Sequence, residues 1–519
     1  MSLDRFIPRK ISREELNSLV DRAADLIRTA VDYKFILVLL FLKRLNDVWK
    51  SEKEKLKERI MKEVGLPERE AEEEAEKTLE VSHIFNVPRN CLWDEVTKDV
   101  KRLPERLATA ISELAKRNKE LQGVIDRVDF LEFARSQGNR ELLRQLVELF
   151  NKYNLSNEYA SPDVLGDAYE HILMRFAPTR AKEGEIYTPR EVIRLLVEIL
   201  DPKPGESVYD PCHGSGGMLI ISYLYVAEKY GEESARRLFL YGQERSPTIY
   251  AISWMNLLLH DIRNPHLARE DTLDHPMFRE GGKLKQFDVV MANVPWNQDG
   301  YGEDRLKKAD LSERFRFGYP PKNTADWAWI QHMLASAKDN GRVGIVIDTG
   351  CLHRLGREKQ IRSKVIEKDW IECVILLPEK LFYNTPAHGA IIIFNKSKLT
   401  ERKNKVLFIN AQNEYVSHPS IKRLNSLSDG NIKKIVDVYR KFIELNGFSR
   451  IVDIREIKNN DYNLNVPLYV MPIKREESIN IFAEFSSLKK LEKERENLER
   501  KLEKYISQLA ELMGIDDES

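Results

Sequence analysis

Residues 206–219, ESVYDPCHGSGGML, constrain the fold more than any other part of the chain. Val208 and Tyr209 favour extended backbone, so 206–209 predicts a short strand. The strand stops at Asp210-Pro211, and Gly214, Ser215, Gly216 and Gly217 follow as a glycine-rich loop. Met218, Leu219, Ile221, Leu224, Tyr225 and Val226 then recur at helical spacing as far as Tyr230-Gly231. Strand, glycine turn and helix make the first unit of a doubly wound α/β domain, in which ligands sit beyond the carboxyl ends of the strands. The loop lacks the Gly-Lys-Ser/Thr of a phosphate-binding loop and the GxGxxG of a dinucleotide fingerprint. An acid at the strand end suits a ligand's amino group and repels a pyrophosphate. Taken alone, the stretch also admits the reading of a tight strand–helix turn that binds nothing.

Downstream, strand and helix keep alternating. Residues 238–241 predict a second strand ending in Gly242-Gln243-Glu244, a helix closes over 256–261, and Glu270-Asp271 follow a loop. Residues 287–292 predict a strand running into Asn293-Val294-Pro295-Trp296. Further strands are expected at 342–347, 371–376, 390–394 and 406–410. Such alternation predicts a mostly parallel sheet covered by helices on both faces.

The flanks read differently. Residues 1–155 predict an all-α domain: Ser12 and Glu15 form a capping box, and Leu16, Val20, Ala23, Ala24 and Ile27 share a face. The apolar run 35–42 reads as a buried helix core, and the charge-dense stretch 51–80 as solvated helix faces. An amphipathic helix is expected over 159–176. After it, Thr188 reads as the N-cap and Pro189 as the first turn of a helix ending near 200. The central domain is placed at 156–425 and a carboxyl-terminal tail at 426–519. In that tail, Leu488, Leu491, Arg495, Leu498, Leu502, Tyr505, Leu509 and Leu512 alternate spacings of three and four, a coiled-coil-like seam over 486–513.

Bulk properties limit the partners. Lysine plus arginine and aspartate plus glutamate both number 83, a formal net charge of zero. Nucleic acid must therefore be met locally or through a partner. The four cysteines show neither metal spacing nor a disulfide framework, so no metal is expected and a reducing cytoplasm fits. The start of the chain has no apolar leader segment, and its longest apolar run falls far short of the roughly 20 residues of a membrane span.

The strand ends carry the chemistry. In a doubly wound sheet Asp210, the glycine loop, Glu244, Asp271 and the Asn293–Trp296 turn face one crevice. Glu244 is placed to accept from two ribose hydroxyls, and Asp271 from an adenine amino group. The implied ligand is an adenosine with a cationic, amine-bearing tail, which S-adenosylmethionine fits better than NAD or ATP. Opposite it, the Asn293 side-chain oxygen and the Val294 carbonyl can each accept one hydrogen of an exocyclic amine. Pro295 stiffens the turn and Trp296 can stack on a base, which must first be flipped out of a duplex. As an isolated tetrapeptide this is an ordinary turn; about 80 residues after the glycine loop it is far more specific.

With these motifs in place, the chain resembles the modification (methyltransferase) subunit of type I restriction–modification systems. The resemblance rests on LGDAYEHIL, EIYTPREVIRLLVEILDPKPGESVYDP, GSGGMLI, YGQE, NVPW, DWAWIQHML, GRVGIVIDTGCLHRLG, LPEKLFYNTPAHGAIIIFNK and NDYNLNVPLYV, with AADLIRTAVDYKFILVLLFLKRL matching the family's helical domain. It implies a Rossmann-like fold and methyl transfer from S-adenosylmethionine to adenine N6 in double-stranded DNA. It also implies a separate specificity subunit, with two modification subunits for each, and a restriction subunit for cleavage. By the same resemblance, Glu185, Ile186, Tyr187, Thr188, Pro189 and Arg190 form a cofactor-binding segment. Asp210 and Gly214–Gly217 form the methionine loop, Glu244 is the ribose acid, and Asn293, Val294, Pro295 and Trp296 form the catalytic turn. His213 departs from the family's loop, and Val294 replaces the turn's first proline. Two rivals share the turn motif: a protein-glutamine methyltransferase, and a catalytically impaired structural or DNA-binding subunit.

Overall fold

The computed structural model describes residues 10–27, 34–82, 85–160, 168, 171–172, 188–309, 313–383, 385–419, 421–472 and 481–513. Nine strands form one sheet: β1 (Ser207–Asp210), β2 (Phe239–Glu244), β3 (His266–Arg269), β4 (Phe287–Asn293), β5 (Ala337–Asp348), β6 (Ile371–Leu376), β7 (Gly389–Asn395), β8 (Lys405–Asn410) and β9 (Ser449–Asp453). Their order is β9-β8-β6-β7-β5-β4-β1-β2-β3. Pairing is parallel from β5 through β4, β1 and β2 to β3, and between β6 and β8. β7 runs antiparallel to both β5 and β6, and β9 antiparallel to β8. The expected mostly parallel sheet is present, with β1 and β4 adjacent at its centre.

Helices of ten residues or more are α1 (Arg13–Ile27), α2 (Lys34–Val64), α3 (Glu68–Ser82), α4 (Leu103–Arg117), α5 (Gln137–Asn151), α6 (Arg190–Leu200), α7 (Gly217–Tyr230), α8 (Pro247–Leu259), α9 (Asp326–Ala335), α10 (Arg357–Glu367), α11 (Asp429–Lys441) and α12 (Ile481–Met513). The central strands are buried on both faces, as parallel strands must be. On one face α6, α7 and α11 pack with Val208, Val289, Ile375 and Leu407. On the other, α9 and α10 pack with Tyr209, Val290, Ile345 and Val374. Gly344 of β5 leaves room for α6, since a Cβ there would lie 2.5 Å from Leu196 and 2.9 Å from Leu200.

The amino-terminal region is all-helical among its described residues. The Ser12–Glu15 capping box forms, at 2.9 and 3.2 Å. Residues 36–42 are buried in the core of this region, which extends onto Ala251, Ile252, Trp254, Met255 and Leu259 of α8. The charge-dense stretch 51–80 is solvent-facing at most positions. No helix among the described residues is long and apolar enough to cross a membrane.

Several expectations need correction or fall outside the described residues. The strand His266–Arg269 was not anticipated. It is a four-residue edge strand with no buried position, so it has no apolar pattern to read. The boundary expected at 425 falls short: α11 packs on the sheet and β9 completes it, in a compact unit that runs to Pro472. The helix expected over 159–176 lies mostly outside the described residues; Ala168, His171 and Ile172 are helical. Finally, α6 begins at Arg190, with Pro189 rather than Thr188 in the capping position and no side-chain cap. The Thr188 hydroxyl is engaged elsewhere.

Described by itself, α12 is a 33-residue helix. Leu488, Leu491, Leu498, Leu502 and Tyr505 on its seam are 54–65 % exposed.

A candidate active site at the strand ends

The loop after β1 is shaped by its own backbone. Gly214 and Gly216 have φ of +52° and +87°, a region that costs residues with a Cβ about 1–2 kcal/mol. The Gly216 amide donates to the His213 carbonyl at 2.7 Å, closing the turn. At Gly217 a Cβ would stand 2.8 Å from Ile193, so glycine lets α7 begin tight against α6. Gly214 is different: a Cβ there would meet nothing nearer than the Cys212 carbonyl at 4.0 Å, which leaves the backbone open on one side. Three outside groups hold the loop. Asn256 Nδ2 of α8 donates to the Ser215 carbonyl (2.9 Å), Thr272 Oγ1 to the Pro211 carbonyl (2.6 Å), and the His213 amide to the Gln243 carbonyl (3.1 Å).

Two carboxylates face this loop. Asp210 is buried, and its Oδ1 accepts from the Cys212 amide at 3.0 Å. Burial pushes its carboxyl up to about 8; the Cys212 amide works against the rise and the charge of Glu244 adds to it. Glu244 accepts from the Gly214 amide at 3.2 Å and from the Ser246 amide at 2.7 Å, which ties the end of β2 to the loop. A buried acid and a half-buried one beside open glycine backbone suit a cationic ligand. A pyrophosphate would be repelled there.

Asp271, two residues beyond β3, is held more fully than the sequence suggests. Its Oδ1 caps the turn through the Leu273 and Asp274 amides (3.1 and 3.3 Å), and its Oδ2 accepts from the Tyr301 hydroxyl at 2.6 Å. Arg245 and Arg305 each lie 3.6 Å from it. The buried Arg314 guanidinium clasps the same turn, donating to the carbonyls of Thr272 (2.9 Å) and Leu273.

At the end of β4, Asn293 is held on both sides. Its Nδ2 donates to Thr188 Oγ1 at 2.7 Å, and its Oδ1 accepts from the Trp296 indole at 3.0 Å. This explains why Thr188 does not cap α6. With Nδ2 committed to Thr188, the oxygen has a fixed direction and keeps a second lone pair for another donor. The Val294 side chain is fully buried, so only its backbone can take part in the pocket. The Trp296 ring meets Phe382 edge-on, with centroids 4.8 Å apart at 70°. Gly389 makes this contact possible, because a Cβ there would press on Phe382 at 2.6 Å and Trp296 at 3.2 Å. Cys212 Sγ lies 3.6 Å from the Asn293 carbonyl oxygen, so glycine loop and turn adjoin across adjacent strands.

Glu185, Ile186 and Tyr187 lie outside the described residues. Arg190 lines a groove between α6 and α7, with Arg194, Leu224 and Glu228, that contains no glycine-loop residue. His213 is buried and held neutral, its imidazole pushed down to about 4 by desolvation, and its Nδ1 stands 3.0 Å from the Gly214 carbonyl. It is a loop-packing residue, in keeping with a tolerated variant. Sequence reasoning missed Asn256, Thr272, Tyr301 and Arg314, since each acts on a partner distant in sequence and carries no local pattern.

Comparison with known proteins gives the family. The N-6 DNA Methylase family model matches residues 160–478, and the HsdM N-terminal domain model matches residues 16–150. The chain is 42% identical over 496 residues to the type I restriction enzyme MjaVII methylase subunit of Methanocaldococcus jannaschii, covering 93% of this chain and 82% of that one. It is 29% identical to the HindI methylase subunit of Haemophilus influenzae, covering 79% and 91%. Among solved structures it is similar to the type I restriction-modification system methyltransferase subunit from Streptococcus thermophilus, with a TM-score of 0.77 and 26% identity, covering 89% of this chain and 100% of that one. Family models and relatives agree: the chain belongs to the N-6 DNA methylase family, among the type I restriction enzyme methylase subunits.

Proposed function

We propose that this chain transfers a methyl group from S-adenosylmethionine to the exocyclic N6 amine of an adenine flipped out of double-stranded DNA. The observation that carries the reading is the juxtaposition of Asn293 with the glycine loop on the adjacent strand, fixed by the Cys212–Asn293 approach of 3.6 Å. When bound, S-adenosylmethionine supplies an electrophilic methyl group on a cationic sulfur. The chain's own residues do the rest. Asp210 and the glycine-loop backbone hold the amine-bearing tail, Glu244 accepts from the ribose, and the Asp271 turn borders the adenine ring. Thr188 and Pro189 border the pocket beside Asn293, and Glu185, Ile186 and Tyr187 contribute to cofactor binding. The Asn293 oxygen and the Val294 carbonyl accept the two amine hydrogens and draw the nitrogen lone pair out of ring conjugation. Trp296 stacks on the base, and Pro295 limits the motion of the turn.

The chain acts as the modification subunit of a complex whose specificity subunit reads the DNA, two modification subunits to one, with a restriction subunit added for cleavage. The neutral overall charge supports a partner-supplied DNA groove. The exposed seam of α12 is the docking element for that partner. Deleting residues 486–519 should abolish the complex on size-exclusion chromatography; an unchanged complex would refute this assignment.

The deciding measurement is methyl incorporation from labelled S-adenosylmethionine into unmethylated genomic DNA, with the chain alone and with its specificity subunit. Label in adenine N6 only when the partner is present supports the reading. Label with the chain alone would mean a recognition element within it. Cofactor binding without transfer would favour an impaired subunit, and label in protein glutamine would favour the rival methyltransferase.

A further inference from the structure

The residue after the catalytic turn takes an unusual backbone. Asn297 sits at φ +53°, a conformation that asparagine tolerates better than most residues but still needs support. Its amide donates to Asp326 Oδ1 at 3.0 Å, and its side-chain oxygen accepts from Arg354 Nη2. The same guanidinium pairs with Asp326 Oδ2 at 2.7 Å, with Asp348, and with Glu358 at 3.3 Å. One residue further on, the Gln298 side-chain oxygen accepts from the Trp329 indole at 3.1 Å. The turn is therefore fastened to the start of α9, the end of β5 and the start of α10.

Several features mark this as a built device. Asp326 and Glu358 have fully buried side chains, 0 % and 1 % exposed, so their charges depend on Arg354. Burial raises both carboxyls while Arg354 pulls them back. Gly350 follows the Asp348 strand end, and a Cβ there would collide with the guanidinium and with Asp348. The side chain of Val294 gives the turn no polar anchor, being fully buried among apolar residues.

We propose that Arg354, Asp326 and Asn297 are positioning residues that clamp the turn presenting Asn293 and Trp296, supplying the stiffness that valine at 294 withholds. The proposal rests on the methyl-transfer reading for its effect on rate, but the clamp itself is testable without activity. A planar fork is required, because one guanidinium serves Asn297 and three carboxylates at once; a lysine ammonium cannot. Misplacement of reacting groups by about 1 Å can cost on the order of 100-fold in rate.

The test uses the full chain with its specificity subunit, as wild type, Arg354→Lys and Asn297→Gly. Glycine keeps the +53° backbone available and removes only the side-chain acceptor, so this variant carries the test if Arg354→Lys fails to fold. Amide hydrogen exchange is read for residues 293–298 and 207–217, beside cofactor dissociation constant and single-turnover methylation. Expected is exchange about tenfold faster in 293–298 only, cofactor affinity within about twofold, and methylation about 10–100-fold slower. The double variant should be no worse than the poorer single one. Unchanged exchange in 293–298 overturns the clamp. So does equal loosening of 207–217 with weaker cofactor binding, which would mean general destabilisation. Failure of the wild type to methylate counts against the methyl-transfer reading and leaves the exchange result to decide the clamp.

Discussion

The two loops that face each other across β1 and β4 are held by opposite means. The glycine loop takes its shape locally, and Asn256, Thr272 and Gln243 only tie that shape down. Its φ values of +52° and +87°, the His213–Gly216 turn bond and the proximity of Gly217 to Ile193 all follow from glycines placed at fixed offsets from a strand. The Asn293–Trp296 turn is determined from a distance. Thr188 lies 105 residues before Asn293, while Asp326 and Arg354 lie 29 and 57 residues after Asn297. A loop built from backbone holds its shape when a ligand leaves. A turn held by side chains can be tuned or loosened without touching Asn293 or Trp296 themselves.

The largest expected effect breaks the turn and spares the loop. Asn293→Ala should lower kcat by about 10²–10³-fold, the cost of one hydrogen-bonding partner aimed at the reacting group. Its cofactor dissociation constant, by calorimetry, should stay near that of the wild type. Equal loss of both would mean that loop and turn are one unit.

Next comes the reverse experiment. Asp210→Asn should weaken cofactor binding by roughly 10–100-fold, the value of a hydrogen bond to a charged group. It should also remove a pH dependence. With its carboxyl pushed up to about 8, Asp210 is protonated in the free protein below that pH. Holding a cation requires the carboxylate, so wild-type affinity weakens as pH falls below about 8 while the variant stays flatter. The sign for stability runs the other way. A folded-state value above the unfolded one of about 4 gives stability that is full below about 4 and is lost as pH rises towards 8. Asparagine should therefore raise the thermal midpoint of the ligand-free protein more at pH 8 than at pH 5.

A smaller effect sharpens the backbone side of the comparison. Gly216→Ala adds a Cβ 3.6 Å from Leu257 and Ser253, so space is adequate and only φ opposes it. The strain of about 1–2 kcal/mol should appear as an equal loss of folding stability in denaturant titration, with cofactor affinity and the single-turnover rate near those of the wild type. Smallest of all, Val294→Pro should stabilise the chain by about 0.4–1 kcal/mol through the unfolded state and leave the methylation rate within about twofold. A large acceleration would mean that the turn is loose despite its anchors.

Much of the architecture was legible because it is written in short-range patterns. The strand–glycine–helix unit, the capping box at Ser12, the buried run 36–42 and the seam of α12 need only neighbours three or four residues away. What escaped had no such pattern. The edge strand β3 buries no residue, and β9 is recognisable as a strand only because β8 is beside it. Thr188 offers the profile of an N-cap, and a Ser/Thr before proline is good evidence for one. Its hydroxyl accepts from Asn293, and the helix starts one residue later, at Arg190 after Pro189.

The sequence by itself determined the doubly wound class, the order of the strand ends and the residue types brought to them. Those follow from periodicity, from glycine's freedom at positive φ and from the rule that strand carboxyl ends share a crevice. Only the tertiary structure decided which way Asn293 points, how Asp271 is shared between Tyr301 and its own turn, and that Arg354 braces Asn297. Hydrogen bonds between side chains far apart in the chain depend on packing, and no local pattern encodes a partner about a hundred residues away.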